Sequence, residues 1–172
     1  MPTLYVVATP IGNLSDMSPR AIETLRSVQL IAAEDTRVTM KLLNAFDIST
    51  PLTSCHEHNE RSKAVQIAER MLAENIDVAV TTDAGTPCIS DPGSVLVREA
   101  TERGIPAVAV SGPTAMASAL SVSGMDISEF TFYGFLPRQK NELREKLTDM
   151  ARHSKIAVVH ESPHRVVELL QQ

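Results

Sequence analysis

The sequence predicts an α/β fold: a five-stranded parallel sheet flanked by helices, followed by part of a second mixed α/β domain. Three observations carry that expectation. Five short β-rich runs alternate with amphipathic stretches over residues 1–123, the order that builds parallel sheets with right-handed crossovers. The fourth run, DVAVTT (77–82), is almost continuously apolar, as expected of a strand covered on both faces. Around Gly124 the alternation restarts with FTFYGF and KIAVV, so residues 124–172 read as two βα units without the rest of their sheet.

TLYVVA (3–8) is the first strand, and the helix after it opens with Ser18 as N-cap and Pro19 at the first helical position, where a missing N–H costs no hydrogen bond. QLIAA (29–33) is the second strand, followed by a helix on which Val38, Leu42, Leu43 and Phe46 share a face. PLTSC (51–55) is a shorter third strand. Beyond Asn59, a reasonable cap, Ala64, Ile67, Ala68, Met71 and Leu72 fall on one stripe of an amphipathic helix. After the fourth strand, Asp91 and Pro92 are expected to start a helix that Gly104 ends. PAVAV (106–110) is the fifth strand, and SGPTAMASALSVSG supplies the next turn and helix. In the second domain Leu143, Leu147 and Met150 line one helix face, and Ser162 with Pro163 begins a last helix. A two-stranded parallel fragment leaves apolar faces and strand edges uncovered, so a partner or further chain is expected to complete it.

Composition narrows the function classes. Among 172 residues, 43% are hydrophobic and 22% charged, close to ordinary globular domains. No apolar run approaches the roughly 18 residues that span a bilayer, and the amino terminus has no basic-then-apolar leader, so a cytoplasmic protein is expected. Cys55 and Cys88 lie in different loops, which fits neither a disulfide framework nor a zinc ribbon. The net charge of −5 is the wrong sign for a generally basic nucleic-acid surface, so an RNA substrate would have to meet a local patch.

Open parallel sheets bind ligands outside the carboxyl ends of their strands. The loops there read ATPIGN, EDTR, TDAGTPCISDPG and SGPTA. None carries the GxxxxGK[ST] of a phosphate cradle or the GxGxxG of a dinucleotide site, and Gly12 with Glu34 about 20 residues later only imitates the latter. The stretch TTDAGTPCISDPG (81–93) holds two Gly, two Pro and two Asp but no Lys or Arg. Glycine permits close backbone approach and proline fixes shape in advance, which suits a flat neutral ring and an uncharged ribose. One such loop is an ordinary turn; four at one rim point to a binding site.

LYVVATPIGNLSDMSPRA, LIAAEDTR, TDAGTPCISDPG, AVSGPTA and VVHESPHR together resemble the tetrapyrrole-methylase-like class of S-adenosylmethionine-dependent methyltransferases. Within that family they are most similar to the branch that methylates the 2′-hydroxyl of a cytidine ribose in 16S rRNA. The resemblance covers essentially the whole chain. It implies a two-domain enzyme, commonly a homodimer, that acts on 16S rRNA in the small ribosomal subunit, folds S-adenosyl-L-methionine into the cleft between its domains, and runs well past residue 172. Carried over position by position, it assigns the cofactor to Pro10, to Ala84, Gly85 and Thr86 with Ile89 beside them, to Thr114 and Ala115, and to His160. Asp83 stands near the cationic sulfur of that phosphate-free ligand. Porphyrin-modifying relatives carry a more glycine-rich first loop and GDP in the fourth, whereas this chain has TPIGN and Gly85-Thr86-Pro87. A tetrapyrrole or other small-molecule acceptor is therefore the second reading, and a fragment that only binds a nucleoside is the third.

Methyl transfer to a hydroxyl depends on alignment of the reacting atoms and on an acceptor for the hydroxyl proton. Glu34 and Asp35, at the end of the second strand and beside Arg37, are the catalytic candidates, with a structural ion pair as the alternative. Asn13 is placed either to orient the acceptor ribose or to stabilise its own turn. His56 and His58 in CHEH would share a face if extended, but no third ligand is evident nearby and no metal is expected. Lys140, Arg144, Lys146, His164 and Arg165 form either a local RNA patch or solvated helix faces.

Overall fold

In the computed structural model, which describes residues 1–172, β1 (Leu4–Val7), β2 (Leu30–Ala33), β3 (Leu52–Ser54), β4 (Val78–Thr81) and β5 (Ala107–Val110) form one sheet in the order β3-β2-β4-β1-β5. Every pairing in it is parallel. The two central strands on the β2 side, β2 and β4, are buried at all four positions, the reason their sequences do not alternate.

The chain divides into two compact units, Met1–Ala115 and Met116–Gln172. In the first, α1 (Pro19–Ser27) and α2 (Thr36–Ala45) cover one face of the sheet, where Ala21, Leu25 and Leu43 meet Val7, Ile31, Ala79 and Val110. The helices α3 (Glu60–Glu74) and α4 (Ser94–Glu102) cover the other, packing Ile67, Met71, Leu96 and Ala100 against Leu4, Ala32, Val78 and Val80. Strand side chains alternate between faces, and each face is apolar, so the sheet must be sandwiched. Met71 is fully buried and contributes about 2 kcal/mol through that burial.

This layering positions the site. Chain leaving β1 and β2 turns towards the α1–α2 face, whereas chain leaving β4, which lies between them, turns towards the α3–α4 face. The strand order thus reverses at β4, and a crevice opens there at the carboxyl rim.

Local signals explain the element starts. The Ser18 hydroxyl accepts the Ala21 N–H at 3.1 Å with Pro19 at the first turn, a cap worth about 1 kcal/mol. Three expectations need correction. The α4 helix begins at Ser94, not at Asp91 and Pro92; its cap comes from elsewhere in the chain, as described below. Leu72 and Val38 are 47% and 37% exposed, so neither belongs to the core stripe of its helix. The last helix, α7 (Val166–Leu170), starts after a turn in which the Ser162 hydroxyl accepts the His164 N–H.

Between the units' sheets lies α5 (Ala115–Ser121) in sequence. The second unit holds a parallel pair, β6 (Thr131–Phe135) and β7 (Ala157–His160), with α6 (Lys140–His153) between them in sequence. Leu136, Leu143 and Met150 form its small core, with Tyr133, Leu147, Val159 and Leu169 packed around them. Val167 and Leu170 of α7 remain exposed. No helix is long and apolar enough to cross a membrane.

Candidate functional site

The fourth-strand loop is the hub of the rim. Thr9 and Gly85 exchange both backbone hydrogen bonds, at 2.8 and 3.1 Å, forming an antiparallel bridge between the first and fourth loops. The Thr9 hydroxyl donates to the Thr82 carbonyl at 3.1 Å. The Thr86 hydroxyl donates to the Pro113 carbonyl at 3.3 Å and ties in the fifth loop. Glu34 Oε2 accepts from the Thr82 hydroxyl at 2.5 Å and from the Asp83 N–H at 3.2 Å, which brings in the second loop. All four small-residue loops therefore sit at one rim and are joined by named bonds.

Glycine at position 85 follows from this geometry. Its φ is +91°, and a Cβ there would lie 3.5 Å from Ile11 Cγ2 and 3.9 Å from the Pro113 carbonyl oxygen. Cys88, two residues after Thr86 in the same turn-rich segment, takes φ +70° without being glycine, a conformation that costs about 1–2 kcal/mol. The surroundings must over-determine it.

The Cys88 N–H donates to the Pro92 carbonyl at 3.3 Å, and Glu60 holds the residues that follow. Its carboxylate is buried and accepts the N–H groups of Gly93 at 2.6 Å and Val95 at 3.1 Å. Gly93 itself has no side chain to cap α4 and takes φ +122°. The first residue of α3 thus caps the amino end of α4, and in doing so pins the exit of the fourth loop. Burial pushes the thiols of the neighbouring Cys55 and Cys88 up to about 11, with the Glu60 charge adding to the effect, so both stay protonated and unreactive at neutral pH.

The three adjacent charges of the second loop take separate tasks. Asp35 caps α2 through the Arg37 N–H at 2.8 Å, and its carboxylate holds the Arg37 guanidinium at 2.6–3.2 Å. These bonds draw its carboxyl down to about 2. Glu34 points across the sheet to β4. Asp83 accepts the Asp35 N–H on Oδ1 at 3.1 Å, and burial, with the nearby Glu34 charge second, raises its pKa.

The opposite directions have opposite consequences for stability. The contribution of Asp35 is present above its unfolded value and fades as pH falls towards about 2, and its exposure keeps it small. Asp83 binds its proton more tightly folded than unfolded, so it opposes folding increasingly as pH rises above the ordinary carboxylate value of about 3.9. Asp83→Asn retains an oxygen for the Asp35 N–H, and its melting temperature should gain on the wild type as pH climbs through that range. A difference in melting temperature that does not change with pH would show that neither burial nor Glu34 raises the Asp83 pKa.

A cavity of about 290 Å³ opens at the reversal point, between the first loop, α2 and the end of β4. Pro10, Asn13 and Leu14 form one wall, Val38, Thr39 and Leu42 another, and Thr82 with Asp83 the end. Asn13 Oδ1 accepts the Ser15 N–H and so caps a short 3-10 turn (Leu14–Asp16). Of the residues expected at the site, Pro10, Asn13 and Asp83 line this cavity, while Ala84, Gly85, Thr86 and Ile89 lie further along the loop and are not among its walls. Thr114 and Ala115 end the fifth loop, and Ala84 and Ala115 are exposed. Glu60, Thr82, Leu14 and Leu42 were not singled out as site residues by the sequence. Only Leu14, an apolar residue in a turn-forming loop, offered a signal in the sequence.

In the second unit His160 ends β7, its ring edge-on to Phe132 at 4.9 Å and Phe135 at 5.6 Å. Its Nε2 is buried without a hydrogen-bond partner. Lys146 lies 4.7 Å from the Tyr133 ring and 3.5 Å from Asp149, and Arg165 lies 3.5 Å from Glu161. His56 and His58 approach edge to face at 5.9 Å, and no group of three His, Cys, Asp or Glu side chains is arranged to hold a metal ion.

Residues 3–172 match the profile of Tetrapyrrole (Corrin/Porphyrin) Methylases. The chain belongs to the tetrapyrrole methylase family. Members of this family are S-adenosylmethionine-dependent methyltransferases. The family member named "Ribosomal RNA small subunit methyltransferase I" from Vibrio cholerae is 46% identical over 170 residues, 99% of this chain and 59% of its own length. The protein of the same name from Pseudomonas aeruginosa is 48% identical over 168 residues, again 59% of its length. This family chain thus spans about three-fifths of the length of those relatives. Among solved structures, diphthine synthase matches with a TM-score of 0.68 at 13% identity, covering 95% of this chain and 66% of that one. Uroporphyrin-III-C-methyltransferase from Thermus thermophilus matches at 0.58 and 17%, covering 87% and 74%. At such identities the two structures speak to the fold.

Proposed function

We propose that the chain carries the cofactor-binding rim of an S-adenosylmethionine-dependent methyltransferase that modifies the 2′-hydroxyl of a cytidine ribose in 16S rRNA, with the small ribosomal subunit as its partner. The observation that carries this reading is the fourth loop, locked to its three neighbours and free of lysine and arginine. Such a rim suits a nucleoside without phosphates, whose recognition rests on shape and on backbone donors and acceptors. Glycine at position 85 takes the left-handed φ of +91° that this loop requires, with Ile11 and Pro113 on either side of it. Pro10, Ala84, Gly85, Thr86, Ile89, Thr114 and Ala115 are the residues of the first unit assigned to hold the cofactor, which supplies an electrophilic methyl group when bound.

The chain's own contribution to the chemistry centres on Asp83. With Asp35 committed to Arg37 and Glu34 to Thr82, Asp83 is the carboxylate that both lines the cavity and has a raised pKa. It accepts the proton of the ribose hydroxyl, on the oxygen not engaged by the Asp35 N–H. Glu34 and Asp35 act as positioning residues that set the orientation of Asp83, and Arg37 fixes Asp35.

Small ribosomal subunits lacking the modification, offered labelled cofactor and this protein, should take label on ribose. Asp83→Asn should reduce turnover by about 10²-fold with S-adenosylhomocysteine affinity unchanged. Label on a porphyrin precursor alone would favour the small-molecule reading.

A further inference from the structure

We propose that the cavity between the first loop and α2 receives the base of the acceptor nucleotide, turned out of single-stranded RNA; this rests on the RNA reading of the same site. Its walls are aliphatic and face each other across the space, Pro10 and Leu14 on one side, Val38 and Leu42 on the other. Apolar side chains of this kind sandwich a splayed base, and single-stranded RNA is the form in which bases are available to be sandwiched. Leu14 and Val38 are 53% and 37% exposed, an unfavourable use of large apolar groups unless a flat partner covers them. Two polar side chains border the same space: Asn13 on the first-loop wall, whose Oδ1 is taken by Ser15, keeps its amide N–H groups to donate to a ring nitrogen or carbonyl, and Asp83 stands at its end.

Among the residues assigned to hold the cofactor, only Pro10, in the first loop between the two, also lines the cavity. Gly85 and Thr86 make their contacts with Ile11 and Pro113, on the β1–β5 side of the first loop, and are not among the cavity walls. The cavity lies on the β2 side, so the first loop stands as a partition. A base on one side and a nucleoside on the other place the acceptor ribose at the partition, beside Asp83. Lys41 stands on the same helix face as the cavity wall and is exposed, a local positive charge in a chain of net −5, suited to the phosphate next to that ribose.

The test is a pair of titrations of this chain, one with a single-stranded RNA hexamer containing cytidine and one with S-adenosylhomocysteine, read by backbone amide shifts. The RNA should move Asn13, Leu14, Val38 and Leu42, and the nucleoside should move Gly85 and Thr86. Val38→Trp, which fills the cavity from an already exposed position, should weaken RNA binding at least about tenfold and leave nucleoside affinity unchanged. Lys41→Ala should lower the slope of log affinity against log salt by about 0.7. Cavity amides that respond to the nucleoside and not to RNA, or RNA binding untouched by Val38→Trp, overturn the assignment. Absence of any response to the nucleoside would instead count against the methyltransferase reading, with the RNA arm still deciding the cavity.

Discussion

Replacing Glu60 with alanine should destabilise the first unit by about 3 kcal/mol, because two N–H groups at the start of α4 lose a charged acceptor inside the protein. The loss has a cavity component as well, since Glu60 is only 9% exposed. Glu60→Gln keeps an acceptor oxygen and surrenders only the charge beside the positive end of the helix, so about 1 kcal/mol is expected. Urea denaturation of the three proteins measures both numbers. Equal losses for alanine and glutamine would mean that charge, not hydrogen bonding, holds the helix start. The effect should extend to ligand binding, because the same carboxylate anchors the end of the loop that carries Gly85 and Thr86.

Gly85→Val should weaken S-adenosylhomocysteine binding by at least tenfold, about 1.4 kcal/mol. At φ +91° any side chain is strained by about 1–2 kcal/mol, and alanine would suffer that strain with only ordinary contacts to Ile11 and Pro113. Valine adds two methyl groups directed at the same neighbours and must separate loops that are otherwise bonded together. Gly85→Ala is therefore expected to lower the melting temperature while retaining most of the affinity, and Gly85→Val to lose both. Calorimetric titration of the two variants separates strain from obstruction. Full affinity in the valine variant would remove the fourth loop from the ligand's surroundings.

The five-stranded sheet was legible because burial on both faces leaves a clear record: LIAA and VAVT are apolar at every position but Thr81 and show no polar–apolar alternation. Ser18 and Pro19 were legible because a helix start capped from its own sequence is a local event. The start of α4 was not, since its cap is Glu60, which lies 33 residues away in sequence; no window around Asp91 and Pro92 contains that information. A similar limit applied to Glu34, Asp35 and Arg37. Their adjacency suggested one cluster, but successive side chains at a strand end point to opposite sides, sending Glu34 to Thr82 and leaving Asp35 to its own helix. Val38 was assigned to the core by its spacing with Leu42 and Leu43. Its exposure and its place on the cavity wall give that spacing a second explanation, which periodicity alone does not distinguish.

The backbone bridge between Thr9 and Gly85 has a kinetic corollary. Two segments stapled to one another cannot swing apart to admit a guest and then shut behind it, so entry should be governed by diffusion and not by a slow opening step. The same stiffness leaves these two loops no way to fold over what they hold, so shelter from water should come from elements other than this pair.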